Sequence, residues 1–508
     1  MNVLLLYPRY PVTFWSFKYA LKFVGKKTAF PPLSLLTVAS MLPDDWNIRL
    51  LDLNIKNLFD REDLQWADVV MVSAMLVQKE SADQVLERCA RLGKTTIAGG
   101  PLFTALHEEY TGLVDHLILG EAELTLPLFL EDFSEGRALP IYRSEEFPAL
   151  TETPIPRWDL IRTKDYASMM VQYSRGCPFN CEFCDVTTLF GHKPRLKKPE
   201  QFIAELQSIY DQGWRGSVFV VDDNFIGNKK AIKEMLPGVV EWMERHDHPF
   251  TLFTEASINI AEDDELIDLM VRAGFDNVFI GIETPSEESL KECSKTQNVK
   301  QDLVASIQKL QGRGLAVMGG YIVGFDHDDE TIFSRQIKFI QESGVVTAMV
   351  GLLQALPNTR LWYRLKEQGR LADSATGNNT DGTLNFTPVM NRETLVQGYR
   401  NLVKTLYSPK QFHERLTRFL ENYEKPDFFK KTPSLRQFGA FFKSIFYLGI
   451  LGNGISQWYY WKTVVKAAVR YRSAFVETIT LMIYGYHFRK VAEKIYRNTL
   501  SERESVPS

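Results

Sequence analysis

Three of the chain's five cysteines stand within eight residues, as Cys177-Pro178-Phe179-Asn180-Cys181-Glu182-Phe183-Cys184. Cysteine thiolates are the usual ligands of iron–sulfur clusters, and a [4Fe–4S] cluster normally takes four. Three cysteines spaced C-x3-C-x2-C on one loop therefore leave an iron without a protein ligand. An open metal position is what separates a catalytic site from a structural one. The competing reading is a structural zinc site with His192 as the fourth ligand, but Gly191 and the basic run after it read as a loop leading into a helix. Cys89 and Cys293 read as packing residues, since a free cysteine behaves as a small hydrophobe.

A second set of polar residues falls at the ends of strand-like segments. Asp222, Asp223 and Asn224 close one segment, Glu255 and Ser257 the next, and Glu283 a third. Gly319 and Gly320 lie within a fourth, where glycine permits close approach to a ligand, and Gln354 ends a fifth. Each alone reads equally well as a loop cap; together on one face they read as ligand contacts. The strands are predicted at Met169–Ser174, Ser217–Asp222, Phe250–Ala256, Asn277–Glu283, Ala316–Val323 and Ala348–Leu353. Their spacing of roughly 25–45 residues is that of β/α units, and barrels of such units carry their chemistry at the carboxyl ends of the strands. Six units are too few to close, so residues 164–390 are expected to form a partial (β/α)6 barrel of the TIM type.

Residues 1–135 alternate strand and helix patterns and predict an α/β, doubly wound, Rossmann-like domain. Tyr7, Pro8, Ser73, Gly99, Gly100, Gly120 and Glu121 would converge beyond the carboxyl ends of its strands, where ligands of such sheets sit. Residues 136–163, rich in Pro, Glu and Thr, read as a linker. Residues 391–500 are helical in pattern, and residues 501–508 read as a disordered tail. Between Lys430 and Arg497 basic and aromatic residues interleave, with only Glu477 and Glu493 as acids. That pattern suits either contact with anionic lipid headgroups or a helical cap with a solvated basic face.

Of the 508 residues, 45% are hydrophobic and 24% charged, and the net charge of −4 argues against nucleic acid as a partner. The length calls for several domains or a barrel with additions. No signal peptide and no uninterrupted apolar run of ~20 residues is read, so a cytoplasmic protein is expected, peripheral at the inner face of the membrane if the basic segment touches lipid.

The cysteine motif, with Phe183 before its last cysteine, resembles that of the radical S-adenosylmethionine enzymes. The resemblance implies that the open iron binds S-adenosylmethionine and that reduction of the cluster releases a 5′-deoxyadenosyl radical, with a flavodoxin- or ferredoxin-type protein as electron donor. Where that family has Gly-Gly-Glu this chain has Asp222-Asp223-Asn224. The N-terminal domain, with Tyr7-Pro8-Arg9, Phe30-Pro31-Pro32-Leu33, Gly99-Gly100-Pro101 and Gly120-Glu121-Ala122-Glu123, is similar to the cobalamin-binding subfamily, which places Pro32 among the cofactor contacts. The Asp-x-His-x-x-Gly motif that supplies a histidine to cobalt is absent; His107 and His116 stand elsewhere. The layout resembles the hopanoid and bacteriochlorophyll methylases. It implies C-methylation of an unactivated carbon in a hydrophobic lipid, isoprenoid or tetrapyrrole. Ring formation, rearrangement or oxidation, with or without cobalamin, is the alternative chemistry, and a non-enzymatic Fe–S redox sensor the alternative class.

Overall fold

Continuous apolar runs become inner strands of a parallel sheet because crossover helices cover both faces. Val3, Leu4, Leu5 and Leu6 are all buried on β1 (Asn2–Tyr7). Beside it run β2 (Asn47–Asp52), β3 (Val69–Ser73), β4 (Thr95–Gly99), β5 (His116–Ile118) and β6 (Ile141–Tyr142). In the computed structural model, which describes residues 1–56, 61–426 and 434–504, these form one parallel sheet in the order β2-β1-β3-β4-β5-β6. The winding reverses between β1 and β3, and the reversal opens a crevice at their carboxyl ends. β6 pairs with β5. The segment 136–163, expected as a linker, thus contributes the edge strand of the first sheet before short 3-10 turns carry it to the second.

The second sheet begins with β7 (Met169–Val171), three residues shorter than the predicted Met169–Ser174 strand. Ser174–Arg175 (β8) leaves the sheet and pairs antiparallel with β9 (Arg195–Leu196), forming a small hairpin that brackets the cysteine loop. β10 (Gly216–Val220), β11 (Phe250–Ala256), β12 (Phe275–Glu283), β13 (Ala316–Val323) and β14 (Thr347–Leu352) complete six parallel strands in the order β14-β13-β12-β11-β10-β7. This is an open (β/α)6 barrel. On β11, Phe250, Leu252, Thr254 and Ala256 are buried under the outer helices, while Thr251, Phe253 and Glu255 face inward, the period of two that a strand imposes.

Helices Arg392–Leu406, Pro409–Asn422, Leu435–Ser444, Gly454–Arg470 and Phe475–Glu504 form the C-terminal region. One apolar core runs through the barrel and into these helices, whereas the first sheet has a separate core on each face. The last helix continues through Glu504, so residues 501–504 are helical where a disordered tail was expected. Lys430, Lys431 and residues 505–508 lie outside the described residues.

Candidate active site between the two sheets

The cysteine loop is held by the acids at the end of β10. Asp222 is buried and accepts hydrogen bonds from the Tyr173 N–H (2.8 Å) and the Ser174 hydroxyl (2.6 Å). Asp223 accepts from the Gly176 N–H (2.8 Å), one residue before Cys177. Burial pushes the two carboxyls up to about 7 and about 6 against these hydrogen bonds. These two residues thus grip the loop. Asn224 Nδ2 donates to Cys177 Sγ at 3.9 Å and to Ser257 Oγ at 3.3 Å, and Gln297 Nε2 donates to Cys181 Sγ at 3.9 Å. Hydrogen bonds to sulfur are among the levers by which a protein tunes an iron–sulfur cluster.

All three thiols are free. Burial pushes Cys177 and Cys184 above the ordinary thiol value, so a cation is needed to hold them as thiolates. Among the described residues no three His, Cys, Asp or Glu side chains converge on a single metal ion. Cysteine thiolates are the ligands an iron–sulfur cluster takes, and this loop would offer three of them. His192 is exposed. Phe183 packs toward Phe325, 6.2 Å between ring centres, behind the loop. Cys89 and Cys293 are buried in the packing.

The loop is also tied to the first sheet. Glu121, in the turn after β5, pairs with Arg175 (2.6 Å) and Arg195 (2.6 Å), and Glu123 pairs with Arg175 (2.8 Å). Burial opposes ionisation of Glu123, but Arg175 overcomes it and holds the carboxyl below its usual range. Both carboxylates border the cavity described below, yet their oxygens are taken by the hairpin β8–β9. Gly120-Glu121-Ala122-Glu123 is thus a clamp between domains.

On the barrel rim, Glu283 has φ +64°, uncommon for a residue with a side chain. It lies where the register with β13 shifts, and its carboxylate meets Lys295 Nζ at 2.7 Å. Burial works against the Lys295 charge, but Glu283, with Cys181 nearby, holds its pKa above the ordinary lysine value. Glu255 has no such partner. Burial pushes its carboxyl up to about 8, so it is largely protonated at neutral pH and available as a donor. Gln354 donates to Thr376 and to the Asn378 carbonyl (3.2 Å each), leaving its own buried carbonyl unpartnered.

Between the carboxyl ends of the two sheets lies a cavity of about 720 Å³. Tyr7, Pro32, Ser73, Gly99, Gly100, Gly120 and Glu121 line it on one side, and Glu255, Glu283 and Gly320 on the other. Trp15, Phe30, Phe219 and Phe279 add an aromatic wall; Trp15 and Phe279 stand 4.8 Å apart, Phe30 and Phe219 5.6 Å. Pro8, Asp222, Asp223, Asn224, Ser257, Gly319 and Gln354 do not line it. Pro8 is buried, its carbonyl bound by Gln78 and Asn54, and a Cβ on Gly319 would strike the Tyr321 ring. Gly120 (φ +76°) has open space where a Cβ would stand, while one on Gly100 (φ +90°) would meet Ser73 Oγ at 2.7 Å. A smooth glycine floor opposite an aromatic wall fits a broad, flat ligand such as a corrin. No histidine is among the lining residues; His116 bonds the Leu139 carbonyl at 2.7 Å. Sequence patterning missed the roles of Lys295, Gln297, Arg175 and Arg195 and, apart from Phe30, the aromatic wall. Gln297, Arg175 and Arg195 meet partners 116, 54 and 74 residues away, and Lys295 meets Glu283 across a turn that carries no motif.

The comparisons agree with this architecture. Family models match for the "B12 binding domain" over residues 27–130, the "Radical SAM superfamily" over 171–334 and a "domain of unknown function (DUF4070)" over 359–500. An uncharacterized methyltransferase of Synechocystis sp. is 41% identical over 99% of this chain and 94% of its own length. The hopanoid C-2 methylase of Rhodopseudomonas palustris is 34% identical over 82% of this chain and 78% of its own. The fold matches TsrM of Kitasatospora setae, a radical S-adenosylmethionine methyltransferase solved with cobalamin and a [4Fe–4S] cluster, at a TM-score of 0.62 and 15% identity over 98% of this chain and all of that one. It also matches the cobalamin-dependent radical enzyme OxsB at 0.62 and 14% identity, over 100% of this chain and 82% of that one.

Fold and site thus define a radical S-adenosylmethionine enzyme with a B12-binding domain. The chain belongs to the cobalamin-dependent radical S-adenosylmethionine methylase family. In this family the cluster supplies an electron to S-adenosylmethionine and cobalamin carries methyl. Cys177, Cys181 and Cys184 would hold the cluster, and the crevice at Tyr7, Ser73, Gly100 and Gly120 would seat the corrin. Asp222 and Asp223 fix the loop, and the aromatic wall lines the space between.

Proposed function

We propose that this enzyme methylates an unactivated carbon of an isoprenoid lipid of the hopanoid type, using cobalamin that takes no histidine from the chain. The observation that carries this reading is the aromatic wall of Trp15, Phe30, Phe219 and Phe279 facing the first sheet across the cavity. Such a surface offers dispersion and apolar burial to a fused hydrocarbon but few hydrogen bonds to orient a polar metabolite. The likeness to the hopanoid C-2 methylase supports it, and the lower identity of 24% to the bacteriochlorophyllide d C-12(1)-methyltransferase of Chlorobaculum tepidum makes a tetrapyrrole the second choice. Contacts to the S-adenosylmethionine come from the barrel rim at Glu255, Ser257 and Glu283, and the electron from a flavodoxin- or ferredoxin-type donor.

The test is to reconstitute the protein anaerobically with iron, sulfide and cobalamin. It is then given reductant, S-adenosylmethionine with a labelled methyl group, and either a pentacyclic hopanoid or a bacteriochlorophyllide. Label in the hopanoid together with 5′-deoxyadenosine supports the reading. Label in the tetrapyrrole alone replaces the substrate, and 5′-deoxyadenosine without methyl transfer replaces the reaction by ring formation or oxidation.

A further inference from the structure

The helices Leu435–Ser444 and Gly454–Arg470 form a hairpin that packs on the core along one side and turns a second apolar face outward. They are joined through the π-helical turn Ile445–Ile450 and a bend at Gly452 and Asn453. Their protein-facing side carries Ala440, Ser444, Tyr460, Thr463, Val464 and Ala467, all buried, with the Ser444 and Tyr460 hydroxyls 2.8 Å apart, and Phe441, Ile445 and Leu448 pack against the core. The outward side carries a second set of large apolar residues. Leu435, Phe438, Phe442 and Phe446 recur at three- and four-residue steps on the first helix and its continuation. Ile455, Trp458, Trp461, Val465 and Val469 do so on the second. Leu435 is 92% exposed, Ile455 68% and Val469 69%. A folded chain rarely leaves so large a continuous apolar face to water unless something covers it.

Charge indicates what covers it. From Ser434 to Val476 the chain has no Asp or Glu but contains Arg436, Lys443, Lys462, Lys466, Arg470 and Arg472. Lys462 Nζ stands 4.8 Å from the Trp458 ring centre. An apolar stripe that includes indoles, with lysines or arginines alongside, is the pattern of helices that lie in the headgroup layer of anionic bilayers. No helix among the described residues is long and apolar enough to cross a membrane, which suits a hairpin lying within one leaflet.

We propose that the hairpin 435–470 is a monotopic docking surface for a bilayer containing anionic lipid. The proposal does not depend on the nature of the substrate. It also gives the hairpin a route to the cavity. Lys443 Nζ bonds the Lys22 carbonyl at 3.1 Å, Tyr447 packs on Phe23, and the segment just before them carries Phe14 and Trp15 of the cavity lining.

The full-length protein would be sedimented with vesicles of phosphatidylglycerol and phosphatidylcholine, and with pure phosphatidylcholine vesicles, at low and high salt. Binding that prefers the anionic vesicles, weakens with salt and shifts tryptophan emission to the blue is expected. The double substitution Phe442→Glu and Trp458→Glu, at exposed side chains, should weaken binding at least about tenfold, given the apolar burial it removes. Lys462→Glu with Arg470→Glu should abolish the anionic preference. Protein that stays in the supernatant with anionic vesicles overturns the proposal, as does binding undiminished in the Phe442→Glu, Trp458→Glu variant. A dimer in light scattering that this variant dissociates, without vesicle binding, assigns the face to a second copy instead.

Discussion

Lys295 and Glu283 carry opposite charges in a place where neither tolerates isolation. Their side chains retain 13% and 7% of their exposure, and their polar atoms are 2.7 Å apart. Removing one partner of a buried pair leaves an uncompensated charge and costs about 3–5 kcal/mol. Lys295→Met should therefore lower the urea-unfolding free energy of the cofactor-free chain by about that much. Glu283→Gln in the same chain should restore most of the loss, because the double variant contains no orphaned charge. Recovery absent from the double variant would show that Lys295 acts through packing. Glu255 poses the opposite case, a carboxyl kept neutral by burial at about 8. Its folded pKa lies above its unfolded value, so its contribution to stability is full below the unfolded pKa and is lost as pH rises through about 8. Between about pH 5 and 8 the melting temperature of the cofactor-free chain should fall less steeply in Glu255→Gln than in the unaltered protein. Equal slopes would mean that Glu255 is ionised in the cavity.

At the scale of elements, the cysteine loop depends on one glycine. Gly176 has φ +93°, and a Cβ there would stand 3.0 Å from the carbonyl oxygens of Phe190, Gly191 and Lys193. Gly176→Ala combines a backbone strain of about 1–3 kcal/mol with displacement of β8 from the loop's closing segment. The chain should still fold, since the barrel core lies elsewhere, but cluster retention should fall at least about fivefold by iron content and absorbance. Unchanged iron would show that the loop accommodates the methyl group. The same loop marks how far sequence reading reaches. Its cysteines were legible because cluster ligands are local and their spacing is chemical, and the inner strands were legible because burial on both faces makes them continuously apolar. The grip of Asp222 and Asp223 was not legible, because a strand-end carboxylate looks the same whether it binds backbone amides or a ligand. Nor was the clamp of Glu121 with Arg175 and Arg195, whose partners are 54 and 74 residues apart. β6 escaped detection because an edge strand of two residues has no periodicity to read.

At the scale of the whole molecule, the C-terminal helices support the site without lining the cavity. His487 is fully buried, and its Nε2 lies 3.1 Å and 3.0 Å from the Thr13 and Phe14 carbonyls, while Nδ1 accepts the Tyr19 N–H at 3.3 Å. Phe14 packs edge-on against Phe488 at 5.2 Å. The last helix therefore fixes the segment that places Trp15 over the barrel. Burial pushes His487 down to about 4, and burial together with Lys462 and Lys466 does the same to His413, which bonds Thr463. For a base whose folded pKa is depressed, the unfolded chain binds more protons, so stability is full above the unfolded pKa near 6.5 and is lost as pH falls toward about 4. The sign opposes that of Glu255, whose contribution is lost as pH rises. Below about pH 6 the melting temperature should drop, and His487→Gln, which keeps a donor for the two carbonyls but cannot gain a proton, should flatten that limb. If the segment 13–19 is held as described, fluorescence of Trp15, read as the difference between the unaltered protein and Trp15→Phe, should become more solvent-exposed over the same pH range. It should not do so in the His487→Gln variant. Loss of stability without any change at Trp15 would separate the acid sensitivity of the helices from the architecture of the cavity.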